Sequence, residues 1–308
     1  MNIAGIINDY ESYYGFQESP FSLAPNPDFY VETKSHQECF NVMTYALVSG
    51  EGFIKLTGEV GTGKTLLSRR LLNALDDEGI ISAYIPNPAL TPEALWRAIG
   101  YELAVDCEGV DLHIVQERIQ KQLIEYAKEG SNVVLVVDEA QCLTEDSLET
   151  IRLISNLETE KKKLIQIVLF GQPELDELLS LPRFRQLKQR ITYSAKLAPL
   201  NQQSTEQYIQ QRMMFAGYKG LPVFDDKAMN LLYRTCMGIP RLINILAQKS
   251  LFSAFGLGDK QVTIKHVQAA IKDTEGVNGG AAQGKSYVIE MSLALLIVVS
   301  AVIALSVL

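Results

Sequence analysis

Residues Gly58–Thr65 read GEVGTGKT and satisfy every fixed position of the phosphate-loop pattern GxxxxGK[ST]. Gly58, Gly61 and Gly63 let the backbone wrap closely around phosphate oxygens with its N–H groups turned inward. Glu59, Val60 and Thr62 fill the variable positions. Lys64 offers a point charge to the β- and γ-phosphates, and Thr65 a hydroxyl to Mg²⁺. The flanks agree with this reading. Phe53–Thr57 is a short apolar run leading into the loop. Thr65–Leu75 carries Leu66, Leu67, Leu71, Leu72 and Leu75 at helical spacing. A strand, a glycine-rich turn and a helix in that order bring the positive end of the helix dipole to the phosphates. The nucleotide contacts expected from sequence are Gly58, Glu59, Val60, Gly61, Thr62, Gly63, Lys64, Thr65 and Leu66.

Outward from the loop, apolar strands alternate with longer helical stretches. Ile80–Ile85, Asn132–Val137, Leu164–Phe170 and Ile191–Lys196 read as further strands. Thr91–Val105, Asp111–Lys128 and Glu145–Leu157 read as helices, Asp111 standing where a cap belongs. NVVLVV and LIQIVLF are nearly continuous apolar runs, as in strands covered on both faces. The pattern predicts an α/β fold, a parallel five-stranded sheet with right-handed crossovers.

Val133–Glu139 (VVLVVDE) ends in two carboxylates at the carboxyl edge of that sheet. Asp138 there can hold the Mg²⁺ hydration shell, and Glu139 can reach a water in line with the γ-phosphate as general base. An acidic pair capping a helix is the plain alternative. The strand Leu164–Phe170 should lie between the loop strand and the Asp138 strand. Gln172, just after it, would then hang near the γ-phosphate and orient the water; otherwise it is a turn residue. Arg190 in FRQLKQRI and Arg241 in GIPRLIN are candidates to stabilise transition-state charge, or else surface ion-pair partners.

After Pro199 the strands stop. Ser204–Phe215, Asp226–Cys236, Arg241–Phe255 and Thr263–Lys272 read as a small helical domain over 201–275, following an α/β core over 51–200. Residues 1–50 hold an aromatic and proline-rich segment, expected as irregular chain pinned on the core, and then a helix at Ser35–Leu47. Residues 276–286 are a flexible linker by composition. Residues 287–308 are apolar, without charge from Met291 on; at ~1.5 Å per residue they span about 33 Å, which suits a transmembrane helix. Four scattered cysteines with no CxxC pair support neither a disulfide framework nor a metal site. A net charge of −8 argues against a constitutive nucleic-acid surface.

Taken as a set, Tyr14-Gly15-Phe16 with Pro20-Phe21 and Pro25, GEGFIKLTGEVGTGKT, VDEAQ, FGQPEL, QLKQRI and GIPRLIN resemble the AAA+ ATPases. Within them the chain is similar to the general secretion pathway protein A group, especially its branch serving MSHA-type pilus biogenesis. The resemblance covers roughly residues 12–275. It implies ATP and Mg²⁺ as cofactors, with Lys64 and Glu139 catalytic and Thr65 and Asp138 on the metal. It makes Gln172 the sensor-1 residue, Arg190 an arginine finger acting on a neighbouring subunit, and Arg241 the sensor-2 residue of a lid. It implies a homo-oligomer, a ring in the usual case. The partners implied are inner-membrane pilus or secretion components, with the ATPase domain on the cytoplasmic face of a single C-terminal anchor. A peptidoglycan-binding domain, which the group places after its membrane helix, is not expected within these 308 residues. Two other functions fit the core: a DNA-associated helper of the transposition kind (TniB- or MuB-like), and a nucleotide switch that binds without turnover.

Overall fold

The computed structural model describes residues 3–23, 29, 31–158 and 163–274. The linker and membrane anchor expected at 276–308 lie outside the described residues. Among the described residues no helix is long and apolar enough to cross a membrane.

The chain begins with α1 (Ile3–Tyr14) and α2 (Lys34–Val48), then β1 (Phe53–Gly58), α3 (Lys64–Asp77), β2 (Ile81–Ile85), α4 (Pro92–Glu102) and α5 (Leu112–Lys128). It continues with β3 (Val133–Val137), α6 (Glu145–Ile154), β4 (Gln166–Gly171), α7 (Glu174–Ser180), α8 (Arg185–Arg190) and β5 (Tyr193–Leu197). Four helices follow: α9 (Gln202–Phe215), α10 (Asp226–Cys236), α11 (Pro240–Gly256) and α12 (Ile264–Lys272). The chain divides into two compact units. One is Glu32–Pro199; the other joins the residues up to Val31 with those from Leu200 onward.

In the first unit the five strands form one parallel sheet in the order β2-β3-β4-β1-β5. Burial follows that order. Every residue of β3 and β4 is buried, whereas the edge strand β5 alternates. The side-chain period of two then sorts the core into two layers. Phe53, Leu135, Val137, Ile167 and Leu169 face one side, with Leu95, Ile99, Ile119, Leu123 and Ile151 from α4, α5 and α6. Ile54, Leu56, Val134, Val136, Val168 and Phe170 face the other, with Met43 and Leu47 of α2 and Leu67 and Leu71 of α3. Asp111 occupies the N-cap of α5, but its side chain makes no capping bond; Thr91 and Thr144 do cap α4 and α6.

The second unit corrects the expectation that residues 1–50 form one segment on the α/β core. Helix α2 belongs to the core, but the first 31 residues group with α9–α12. Tyr13 and Tyr14, expected in irregular chain, end helix α1. Its sequence, IAGIINDYESYY, has β-branched, glycine and aromatic residues of modest helix propensity, so packing supplies its stability. Tyr10 stacks on Phe252 of α11 with ring centroids 4.3 Å apart, and the Tyr14 hydroxyl donates to the Leu251 carbonyl at 3.2 Å. Buried Arg212 of α9 donates to the carbonyls of Pro20 at 2.7 Å, Ser22 at 3.2 Å and Phe29 at 3.3 Å. One guanidinium thus satisfies three main-chain carbonyls.

Candidate nucleotide site

All five strands run the same way, so their carboxyl ends share one edge. There the order β3-β4-β1 brings together Asp138–Glu139, Gln172 and Gly58. The registers Thr57↔Gly171 and Val137↔Leu169 keep the three ends nearly level. The expected place of the Leu164–Phe170 strand, between the loop strand and the acidic strand, is the one observed.

The loop leaves β1 at Gly58. Gly61 and Gly63 sit at φ +80° and +101°, a region that side-chain-bearing residues rarely adopt. Lys64, the first residue of α3, is buried, and its Nζ donates to the Gly58 carbonyl at 2.9 Å and the Glu59 carbonyl at 3.1 Å. Burial pushes its pKa down, against the pull of Glu139, Asp138, Glu59 and Glu174. The loop is tied internally by the Thr62 hydroxyl, which donates to Glu59 O at 2.8 Å. Glu59, Val60 and Thr65 are exposed, and Gly61, Gly63 and Leu66 half-buried.

Asp138 is buried at the end of β3. It accepts from the Ser68 hydroxyl at 3.2 Å, the Tyr84 hydroxyl at 3.5 Å and the Glu139 N–H at 2.9 Å, with the Thr65 hydroxyl also bonded to it. Burial raises its pKa, and the neighbouring Glu139 adds to that. A buried carboxylate beside a threonine and a serine hydroxyl is a donor set for a hard, oxygen-seeking cation. Bound charge there would also relieve the desolvation.

Glu139 stands in the left-handed region, φ 49° and ψ 39°. That conformation costs a non-glycine residue of order 1 kcal/mol or more and concentrates at functional sites. Here it turns the carboxylate back towards the end of β4. Glu139 Oε2 accepts from Gln172 Nε2 at 3.1 Å and from Gln141 Nε2. Gln141 Oε1 in turn accepts the Gln172 backbone N–H at 3.0 Å. Gln172 therefore touches the proposed base directly. Reading the residues one at a time missed Gln141, Ser68 and Tyr84. Ser68 lies three residues beyond Thr65 on the same helical face, and Gln141 sits two residues beyond Glu139 in VDEAQ.

Arg190 is not part of this cluster. Arg190 is exposed at the opposite, amino edge of the sheet, its guanidinium 3.4 Å from the Ser155 hydroxyl in a recess shared with Gly52 and Phe53. The length of β1 separates that recess from the loop, roughly 17 Å at strand rise. The Arg190 guanidinium cannot reach the loop of its own unit. Arg241 is exposed in the first turn of α11, in the helical unit. The turn before it needs Gly238: φ is +75°, and a Cβ there would stand 1.8 Å from the Leu200 carbonyl oxygen.

Comparison with known proteins bears on the fold and on the family likeness. A family described as "AAA domain" matches residues 46–179. General secretion pathway protein A of Aeromonas hydrophila is 39% identical over 290 residues, which cover 94% of this chain and 52% of that protein. The chain thus spans about half the length of this relative. Among solved structures, Cdc6p of Pyrobaculum aerophilum aligns with a TM-score of 0.63 at 19% identity, over 83% of this chain and 70% of that one. Drosophila ORC bound to DNA aligns at 0.62 and 16%, over 85% and 65%. The ORC2 protein of Aeropyrum pernix aligns at 0.58 and 16%, over 85% and 72%. At such identities these structures speak for the fold alone. With the loop, the acidic strand end and the shared sequence together, the chain carries an AAA domain over residues 46–179 and is similar, over most of its own length, to general secretion pathway protein A.

Proposed function

We propose that this chain hydrolyses ATP to drive assembly of an envelope machine, a type IV pilus of the MSHA kind or a secretion system of type II character. The observation that carries hydrolysis is the Gln172–Glu139 contact beside Lys64 and Asp138, because a loop that only bound nucleotide would need neither. Lys64 would exchange its two backbone carbonyl partners for β- and γ-phosphate oxygens, and the N–H groups of the loop would surround them. Thr65 and Asp138 would hold Mg²⁺, which supplies charge stabilisation on the phosphate oxygens when bound. Glu139 takes the proton of the attacking water, and Gln172 fixes where that water stands. Arg190, turned away from its own site, suits a neighbour's site, which favours an oligomer; Arg241 would serve as the lid's sensor.

The envelope assignment rests on the relative from Aeromonas and on the apolar stretch 287–308 as an inner-membrane anchor. The same core would serve a DNA-associated helper, but the net charge of −8 disfavours it. The experiment pairs Glu139→Gln with the wild-type chain. The variant should bind ATP with near-native affinity and turn over at least a hundredfold more slowly. Affinity purification of that ATP-locked form from membranes should recover pilus or secretion proteins. Undiminished turnover removes Glu139 as base, and recovery of DNA-transaction proteins alone replaces the envelope reading.

A further inference from the structure

Helix α2 lies outside the motif that marks the nucleotide site, yet its first turn reaches it. Thr33 caps α2, its hydroxyl oxygen accepting the His36 backbone N–H at 3.3 Å. The same hydroxyl lies 2.5 Å from His36 Nδ1. The hydroxyl keeps its own proton to give, and with Nε2 donating to the Thr62 backbone on the other side of the ring, Nδ1 is the acceptor and Nε2 carries the ring proton. The ring is only 5% exposed, and its burial pushes the pKa down to about 4, which keeps it neutral.

Nε2 faces the loop. A Cβ at Gly63 would stand 2.7 Å from it, and the ring bonds to the backbone of Thr62. That bond favours the protonated ring, the sign given by a carbonyl acceptor rather than an amide donor. The Thr62 carbonyl and the Gly63 N–H belong to one trans peptide plane, so they point in opposite directions. Gly63, at φ +101°, presents little steric barrier to a flip of that plane.

We propose that His36 is a positioning residue of the phosphate loop: its Nε2–H holds the Thr62 carbonyl outward and thereby aims the Gly63 N–H into the phosphate cradle. This rests on the nucleotide-binding reading above. It also gives α2 a task in the site beyond covering one face of the sheet.

The test measures ADP affinity by calorimetry, and KM and kcat for ATP, on the full chain. Lys64→Ala sets the floor. His36→Leu removes the donor, whereas His36→Gln returns an N–H near the place of Nε2. The leucine variant should weaken ADP binding and raise KM roughly tenfold, the loss of one charge-assisted hydrogen bond, with kcat within about threefold. The glutamine variant should recover most of the affinity. If the leucine variant does not fold, Thr33→Val, which frees the tautomer, should weaken binding about threefold, and Thr33→Ser should restore it. Equal losses in the leucine and glutamine variants would reduce His36 to a packing residue, and native affinity in the leucine or the valine variant would overturn the proposal. Absence of binding by the wild-type chain would instead remove the nucleotide reading, and this inference with it.

Discussion

Replacing Arg212 by leucine should open the helical unit at the proline-rich segment. Arg212 is 8% exposed, and its guanidinium serves three carbonyls, those of Pro20, Ser22 and Phe29. A hydrogen bond to a charged group is worth about 1.5–3 kcal/mol, so the three together set a ceiling of about 4.5–9 kcal/mol. Two effects lower it. Burial already disfavours the charged guanidinium, which depresses its pKa, and that penalty disappears with the side chain. The loop carbonyls can also regain water if the segment lifts. A net loss of about 3 kcal/mol is expected, comparable to removing one partner of a buried ion pair. For a unit of this size that lowers the melting temperature by roughly 10 °C. Lysine should rescue little, since one ammonium cannot span three acceptors fixed around a planar fork. Scanning calorimetry reads the melting shift, and limited chymotrypsin digestion reads new cleavage at Phe16, Phe21 and Phe29. A leucine variant melting within about 3 °C of wild type, with an unchanged digestion pattern, would refute the pinning role.

Gln141→Ala should lower kcat by roughly tenfold or more with KM nearly unchanged, because it leaves the loop intact and removes one of the two amides that hold the Glu139 carboxylate; steady-state kinetics decides. Arg190→Ala and Lys64→Ala chains should each be inactive alone, yet regain part of the turnover when mixed, if Arg190 acts on a neighbour; mixtures no more active than the parts would argue against a shared site. The His36 carbon resonances in NMR should stay those of a neutral ring down to about pH 4. Arg70 lowers this pKa and Glu32 raises it, both less than burial does. The folded pKa lies below the unfolded value near 6.5, so the stabilisation is fully present above pH 6.5 and is lost as pH falls towards 4, about 3 kcal/mol in all. A titration centred near 6.5 would contradict the buried setting.

Central strands were the most legible part of the chain. NVVLVV and LIQIVLF admit one reading, since only a strand covered on both faces needs apolar residues without alternation. The place of LIQIVLF between the loop strand and the acidic strand was expected and is the one observed. Asp138 was legible because a carboxylate closing such a run has few other places to stand. Gln172 was harder, as the sequence does not show that Glu139 adopts a left-handed turn and meets it. His36 carried no sequence signal at all, being separated from Thr62 by a strand and a loop. Helix α1 was hidden for a related reason: its propensity is poor, and its partners Phe252 and Leu251 lie more than two hundred residues away.

That last separation has a bearing on synthesis. The α/β unit is continuous in sequence and can close as soon as Pro199 has left the ribosome. The helical unit cannot, because Tyr14 must wait for Leu251, 237 residues later. At about 5–20 residues per second the wait is roughly 10–50 s. Throughout it Tyr10, Tyr14, Phe16 and Phe21 form an aromatic patch with no partner. Such a patch is a ready ligand for chaperones that hold nascent chains, so the yield of folded protein should depend on them more than the modest size of either unit suggests.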